Sequence, residues 1–322
     1  MKETRHIPVL LNEAIAMLAI GSGNTVVDAT LGGGGHLIAF CHGVVPGGKV
    51  IALDVDASAL ERFRNRISDN PDVQTMFEDE SLVLAHGNYS DLGGVLKQQG
   101  VAFVDAIFAD LGFSSDQIED RERGFGLLQD GPLDMRLDRE SEMTAAMLLH
   151  SSSVDELRHI IREYGDEEEA SRIARAIIRA REERPIETTT MLREIIENVY
   201  PAAKRRKLKI HPATKTFQAL RIVVNKEHEH LKMFLEESVR YLRPGGRLAV
   251  ITFHSGEDRI VKHFFQELSR GCVCPLGFPV CRCGKKASLK IITKKPIIPS
   301  VDETNRNPRA RSAKLRIAQK NP

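Results

Sequence analysis

Between residues 25 and 110 the chain repeats one unit four times: a short apolar run that stops at a polar residue, then a stretch with helical spacing. The runs are Thr25-Val26-Val27-Asp28-Ala29, Val50-Ile51-Ala52-Leu53-Asp54, Leu82 to His86, and Val104 to Ala109 with Asp110 at its end. Runs that are apolar throughout predict strands covered on both faces, and the helices between them predict parallel pairing. The pattern returns as Arg247 to Phe253, then Ser288 to Thr293 and Lys314 to Ala318. The expectation is an α/β chain with a mostly parallel, seven-stranded, Rossmann-like sheet.

The repeat is interrupted for about a hundred residues, a length read directly from the sequence. Ala170, Ile173, Ala174 and Ile177 make one apolar stripe and predict a helix over 166–182, with Glu167, Glu168 and Glu169 in its first turn. Leu192, Ile195, Ile196 and Val199 predict another over 190–199. Helical spacing from Thr216 runs on to Arg243, where Pro244-Gly245-Gly246 stops it. This reading divides the chain into 1–112 (first part of the sheet domain), 113–213 (an inserted helical, substrate-recognition domain) and 214–322 (the rest of the sheet domain).

Asp28-Ala29-Thr30-Leu31-Gly32-Gly33-Gly34-Gly35-His36 joins the first strand to a helix. Four glycines cost backbone entropy, so they predict a close approach by a ligand as well as a tight turn. A phosphate loop needs Gly-Lys-Ser/Thr, and here His36-Leu37 follows. A dinucleotide fingerprint needs a third glycine, and Leu37 or Ile38 stands at its place. Asp54, ending the second strand, suits both hydroxyls of a ribose. An adenosine without a phosphate signature points to S-adenosyl-L-methionine, with its methionine carboxylate at the helix N-terminus. Tyr89 suits packing on adenine. Asp110 ends the fourth strand at the carboxyl edge, where open α/β sheets bind ligands, and is the expected catalytic residue.

Longer motifs point the same way. They are His6 to Leu11, Asp28 to His36, Asp110 to Ser115, Gly124-Phe125, Asp130 to Arg136, His211 to Thr214, Phe217 to Ala219, Phe253-His254-Ser255 with Glu257-Asp258-Arg259, and Asn307 to Ser312. In these the chain resembles the RsmH (MraW) family of bacterial 16S ribosomal RNA cytosine-N4 methyltransferases over nearly its whole length. The resemblance implies a class I S-adenosylmethionine-dependent methyltransferase that modifies a cytidine in the decoding centre of the small ribosomal subunit. It also implies cofactor contacts at Gly34, Gly35, His36, Asp54, Tyr89, Asp110 and Gln117, with no metal in the active site. Most relatives carry phenylalanine at the position of Tyr89, which keeps an aromatic face. The family's Phe-His-Ser-Leu-Glu-Asp-Arg reads Phe-His-Ser-Gly here, and Gly256 is expected to loosen the helix start by up to about 1 kcal/mol.

Cytosine's exocyclic amine is a weak nucleophile because its lone pair is delocalised into the ring. Asp110 is expected to accept a hydrogen bond from it and to take its proton. For His254 and Ser255 a substrate role competes with helix capping. For Arg136 a phosphate or base contact competes with an ion pair to Asp134 or Asp138. A different RNA or protein amine as substrate, and a non-catalytic ribosome assembly factor, stay open as other readings.

The 46 basic and 44 acidic residues nearly cancel, so bulk charge excludes neither RNA nor an acidic partner. The basic residues cluster, however: Lys204, Arg205, Arg206, Lys207 and Lys209; Arg306, Arg309, Arg311, Lys314 and Arg316; and Arg172, Arg175 and Arg179 on one helical face. Such patches suit a phosphate backbone and salt-dependent binding. Asn12 and Glu13 break the N-terminal apolar run, so no signal peptide is expected, and no membrane span. A cytoplasmic protein is the expectation, with its oligomeric state, monomer or homodimer, left open. Cys272, Cys274, Cys281 and Cys283 lie in one short loop, where a structural zinc on four thiolates competes with free thiols in a turn-rich loop, since Cys-x-Cys is not the usual ligand spacing. Cys41 reads as a packing residue.

Overall fold

The computed structural model describes residues 7–274 and 282–322. Its contacts divide the chain into a sheet unit, His6–Gly112 with His228–Pro322, and a helical unit, Phe113–Glu227.

The sheet unit has strands β1 (Thr25–Asp28), β2 (Lys49–Asp54), β3 (Leu82–His86), β4 (Val104–Asp110), β5 (Leu242–Thr252), β6 (Leu289–Ile291) and β7 (Lys314–Lys320). They lie in the order β3-β2-β1-β4-β5-β7-β6. The first five in that order are parallel, and β7 pairs antiparallel with both β5 and β6. The chain builds outward from β1 to β2 and β3, then returns to lay β4 on the other side of β1. That reversal opens a crevice at the carboxyl ends of β1 and β4, the usual ligand site of such sheets. Alternate residues feed two cores: Val26, Ala52 and Phe108 on one face, Val27, Ile51 and Ile107 on the other.

The helical unit has its own core, in which Leu157, Ile161, Ile173, Ile177, Leu192 and Leu220 are fully buried. Its helices differ from the sequence reading in several places, Ala145–Ser151 and Ala202–Arg205 among the unexpected ones. Val154–Gly165 was not expected, although Ser153 and Glu156 form a capping box that marks its start. The helix expected from 166 begins at Ala170, because Asp166 turns left-handed at φ 51° and ends the preceding helix. The spacing that runs on from 216 to 243 breaks at Asn225-Lys226, where Lys226 has φ 49°. Helix Thr214–Val224 therefore buries Phe217, Leu220 and Val224 in the helical unit, whereas the sequence reading carried it with the sheet. The helix Glu227–Tyr241 follows, with Phe234 and Leu235 in the sheet unit's core. Helix Pro71–Glu78, also unexpected, carries Pro at its first turn and Asn70 as N-cap.

Candidate active site

The glycine run is held by contacts remote in sequence. Gly34 is the N-cap of helix Gly35–Val44 at φ 77°, a left-handed conformation that costs an L-residue. A Cβ there would collide with the ring of Phe63, and a Cβ on Gly35 would lie 2.8 Å from Cγ of Pro8. Packing thus accounts for both glycines before any ligand is considered. The Gly32 N–H donates to Asp54 Oδ2 at 2.8 Å, and the Asp56 N–H donates to Oδ1 at 2.9 Å. Asp54 therefore fastens the glycine loop to the end of β2, and each oxygen keeps a second lone pair. Burial pushes its carboxyl up to about 6, against the amide donors that pull it down.

Asp28 and Asp110 end the two strands that flank the crevice. Asp28 is fully buried; its Oδ1 accepts from the Thr30 N–H at 3.2 Å, while Oδ2 has no partner. Burial, and then the charges of Asp110 and Asp54, raise its pKa well above the ordinary value. Asp110 is fixed through its backbone N–H, which donates to Thr30 Oγ1 at 2.7 Å. Its side chain is 11% exposed, with Oδ2 3.9 Å from His36 Nδ1 and Oδ1 without a partner. Burial, then the charge of Glu257, pushes it up to about 8. Three carboxyl groups with raised pKa thus stand at adjacent strand ends, with Arg62 the cation whose charge bears on Asp54. The sequence reading quoted Asp28 and Thr30 in the glycine motif but gave neither a role; a polar residue ending a buried strand was the available signal.

His36 is buried, with Nε2 3.0 Å from the Val9 carbonyl and its ring centroid 4.5 Å from that of Phe108, so it braces the glycine turn. Tyr89 follows β3 and packs edge-on against Phe234 at 5.4 Å. Gln117 belongs to the helical unit, where its Oε1 accepts from the Ser114 N–H at 2.9 Å and its own N–H donates to Ser114 Oγ at 3.3 Å.

His254 is the N-cap of helix Ser255–Ser269, in a capping box with Glu257, whose Oε2 accepts from the Phe253 N–H at 2.9 Å. A Cβ on Gly256 would lie 2.9 Å from Nε2 of His228, whose ring sits 5.6 Å from that of His254. The glycine admits that ring, where sequence alone suggested only a looser helix. Arg136 donates to both oxygens of Asp134, at 2.7 and 2.8 Å, and to the carbonyls of Arg139 and Ser141. The ion-pair reading of Arg136 is the one realised.

The basic clusters are partly engaged. Lys204 and Arg172 both reach Glu169, at 2.5 and 3.1 Å. Arg316, nearly buried, and Lys314 both pair with Asp258, at 2.6 and 3.3 Å. Arg172, Arg175 and Arg179 line one hollow of about 360 Å³ in the helical unit. In the cysteine loop, Cys272, Cys274 and Cys283 come together, and Cys281 lies outside the described residues, as does His6 of the N-terminal motif. Cys41 is fully buried, and burial pushes its thiol up to about 12. Among the described residues no helix is long and apolar enough to cross a membrane.

A family model described as the MraW methylase family matches residues 3–321. Curated relatives named ribosomal RNA small subunit methyltransferase H are similar end to end. That of Syntrophus aciditrophicus is 46% identical over 319 residues, covering 99% of this chain and 98% of its own. That of Halothermothrix orenii is 45% identical over 315 residues, 98% of each. That of Thermomicrobium roseum is 45% identical over 317 residues, 98% of this chain and 94% of its own.

Proposed function

The chain belongs to the MraW methylase family, and on that premise we propose that it methylates small-subunit ribosomal RNA, at N4 of a cytidine in the decoding centre of 16S rRNA, with S-adenosyl-L-methionine as donor. The observation that carries this reading is the pair of buried, unpartnered carboxylate oxygens, Asp28 Oδ2 and Asp110 Oδ1, on neighbouring strands. A buried carboxylate needs a proton or a cation. S-adenosyl-L-methionine carries an ammonium and a sulfonium, so it fits that need where an anionic nucleotide would not. Asp54 suits the ribose hydroxyls, and Tyr89 the adenine. The helix Gly35–Val44 begins without a capping side chain or an acidic residue in its first turn, which leaves its dipole for the methionine carboxylate. Gly34, Gly35 and His36 shape that turn, and Gln117 is assigned through the family resemblance alone.

When bound, the donor supplies an electrophilic methyl carbon. Asp110 orients the attacking amine through a hydrogen bond, so that its lone pair faces that carbon rather than the ring. On methyl transfer the Asp110 carboxylate would take up the proton that the amine gives up. Burial leaves that carboxylate a stronger base than an ordinary surface one. His36 and Thr30 hold that strand end in place, and positioning supplies much of the remaining rate.

The direct test is mass spectrometry of small-subunit rRNA from cells with the protein, without it, and with it restored. One decoding-centre cytidine is expected to carry a methyl group only where the protein is present; identical spectra would refute the assignment. A second expectation concerns protons. Before binding, burial keeps a proton on Asp110 up to about pH 8 and on Asp54 up to about 6. A cationic ligand favours the ionised forms, so binding releases protons at neutral pH. Affinity should rise with pH between 6 and 8, by about tenfold per unit for each proton released, and then level off. Calorimetry in buffers of different ionisation enthalpy reads this, and a heat independent of buffer would contradict it.

A further inference from the structure

Cys272, Cys274 and Cys283 take no part in the chemistry above. They lie between helix Ser255–Ser269 and β6, and their three Sγ atoms are all within 4.8 Å of one another. The Sγ atoms of Cys283 and Cys272 are 3.8 Å apart. A disulfide holds its sulfurs at about 2.05 Å. Zinc–thiolate bonds of about 2.3 Å in a tetrahedron set the sulfur–sulfur edge at about 3.8 Å.

Backbone N–H groups point at two of these sulfurs. The Val273 N–H points to Cys283 Sγ at 3.5 Å, and the Cys274 N–H to Cys272 Sγ at 3.4 Å. Hydrogen bonds to a thiolate favour it over the thiol, and a metal ligand must be deprotonated. Arg282, Lys285 and Lys286 stand beside the cysteines in sequence and add positive charge. Lys285 also donates to the Glu267 carbonyl at 3.1 Å, which ties the loop back to the end of the preceding helix. Sulfur ligands select a soft or borderline cation and disfavour magnesium or calcium.

We propose that Cys272, Cys274 and Cys283 bind a zinc ion that fixes the connection between helix Ser255–Ser269 and β6. Three thiolates leave one tetrahedral position to a further donor. The site is structural: it closes a loop of the sheet unit and is no part of the carboxylate crevice. Its failure would leave the methyl-transfer reading untouched, since that reading rests on Asp28 and Asp110.

The test uses the full, untagged chain purified in reductant without chelator. Elemental analysis is expected to find zinc equimolar with protein. Cobalt titration of the chelator-stripped protein is expected to produce a sulfur-to-cobalt charge-transfer band in the near ultraviolet. Cys272→Ser and Cys283→Ser should both lose the zinc and the band while keeping the far-ultraviolet circular dichroism of the parent. Should either variant misfold, the cobalt titration of the parent still decides. Reduced parent protein with neither zinc nor a charge-transfer band would overturn the proposal, as would folded variants that retain stoichiometric zinc.

Discussion

Asp110→Asn is expected to lower turnover at saturating methyl donor by about 10²- to 10⁴-fold, the range for removing a positioned general base. The exchange keeps the shape of the side chain and the backbone hydrogen bond to Thr30, so the strand end should stay where it is. It removes the proton acceptor and one anionic partner for a cationic ligand. Binding of S-adenosyl-L-methionine should weaken, and the proton release seen by calorimetry should shrink in step. Single-turnover assays on small subunits separate the two effects. A variant that binds donor weakly yet turns over normally when saturated would remove Asp110 as the base and leave it only an electrostatic role.

The second large effect falls on stability. Gly34→Ala forces an L-residue into a left-handed turn and pushes its Cβ into the Phe63 ring. Those terms together predict a loss of about 2–5 kcal/mol, read by denaturant unfolding. The sequence alone predicted a close approach by a ligand as well as a tight turn at the glycine run; the Phe63 ring adds a packing reason for Gly34. Phe63→Ala in the same chain should recover the steric part and leave the backbone part. An unchanged unfolding midpoint in Gly34→Ala would mean that ring and turn rearrange freely. Lost ligand binding in this variant says nothing about direct contact unless the double variant, folded, loses it too.

The contrast shows what the sequence could carry. The strands of the sheet and the acids that end β2 and β4 were legible because burial on two faces writes itself as local apolar runs. Helix breaks at Asp166 and at Asn225-Lys226 were not, since a left-handed residue leaves no mark on hydrophobic spacing. The reasons for Gly34, Gly35 and Gly256 were illegible for a different cause. Phe63, Pro8 and His228 explain them, and only the folded chain brings those side chains near. Asp28 looked like a strand end until its second oxygen proved to be buried without a partner.

The antiparallel edge of the sheet bears on how such a chain is made. β7 lies inside the sheet between β5 and β6, yet follows both in sequence. On the ribosome, then, β5 emerges long before the strand that covers its outer edge. Through that interval β5 presents open amides and carbonyls, with Ala249, Val250 and Ile251 awaiting their β7 partners. An uncovered apolar strand edge invites pairing with another chain. Placing β7 therefore means inserting a strand between two others, with Arg316 seated on Asp258 in the finished fold. Nascent copies of this protein are thus open to edge pairing from the emergence of β5 until that of β7, an interval in which the strands of the carboxylate crevice are already made.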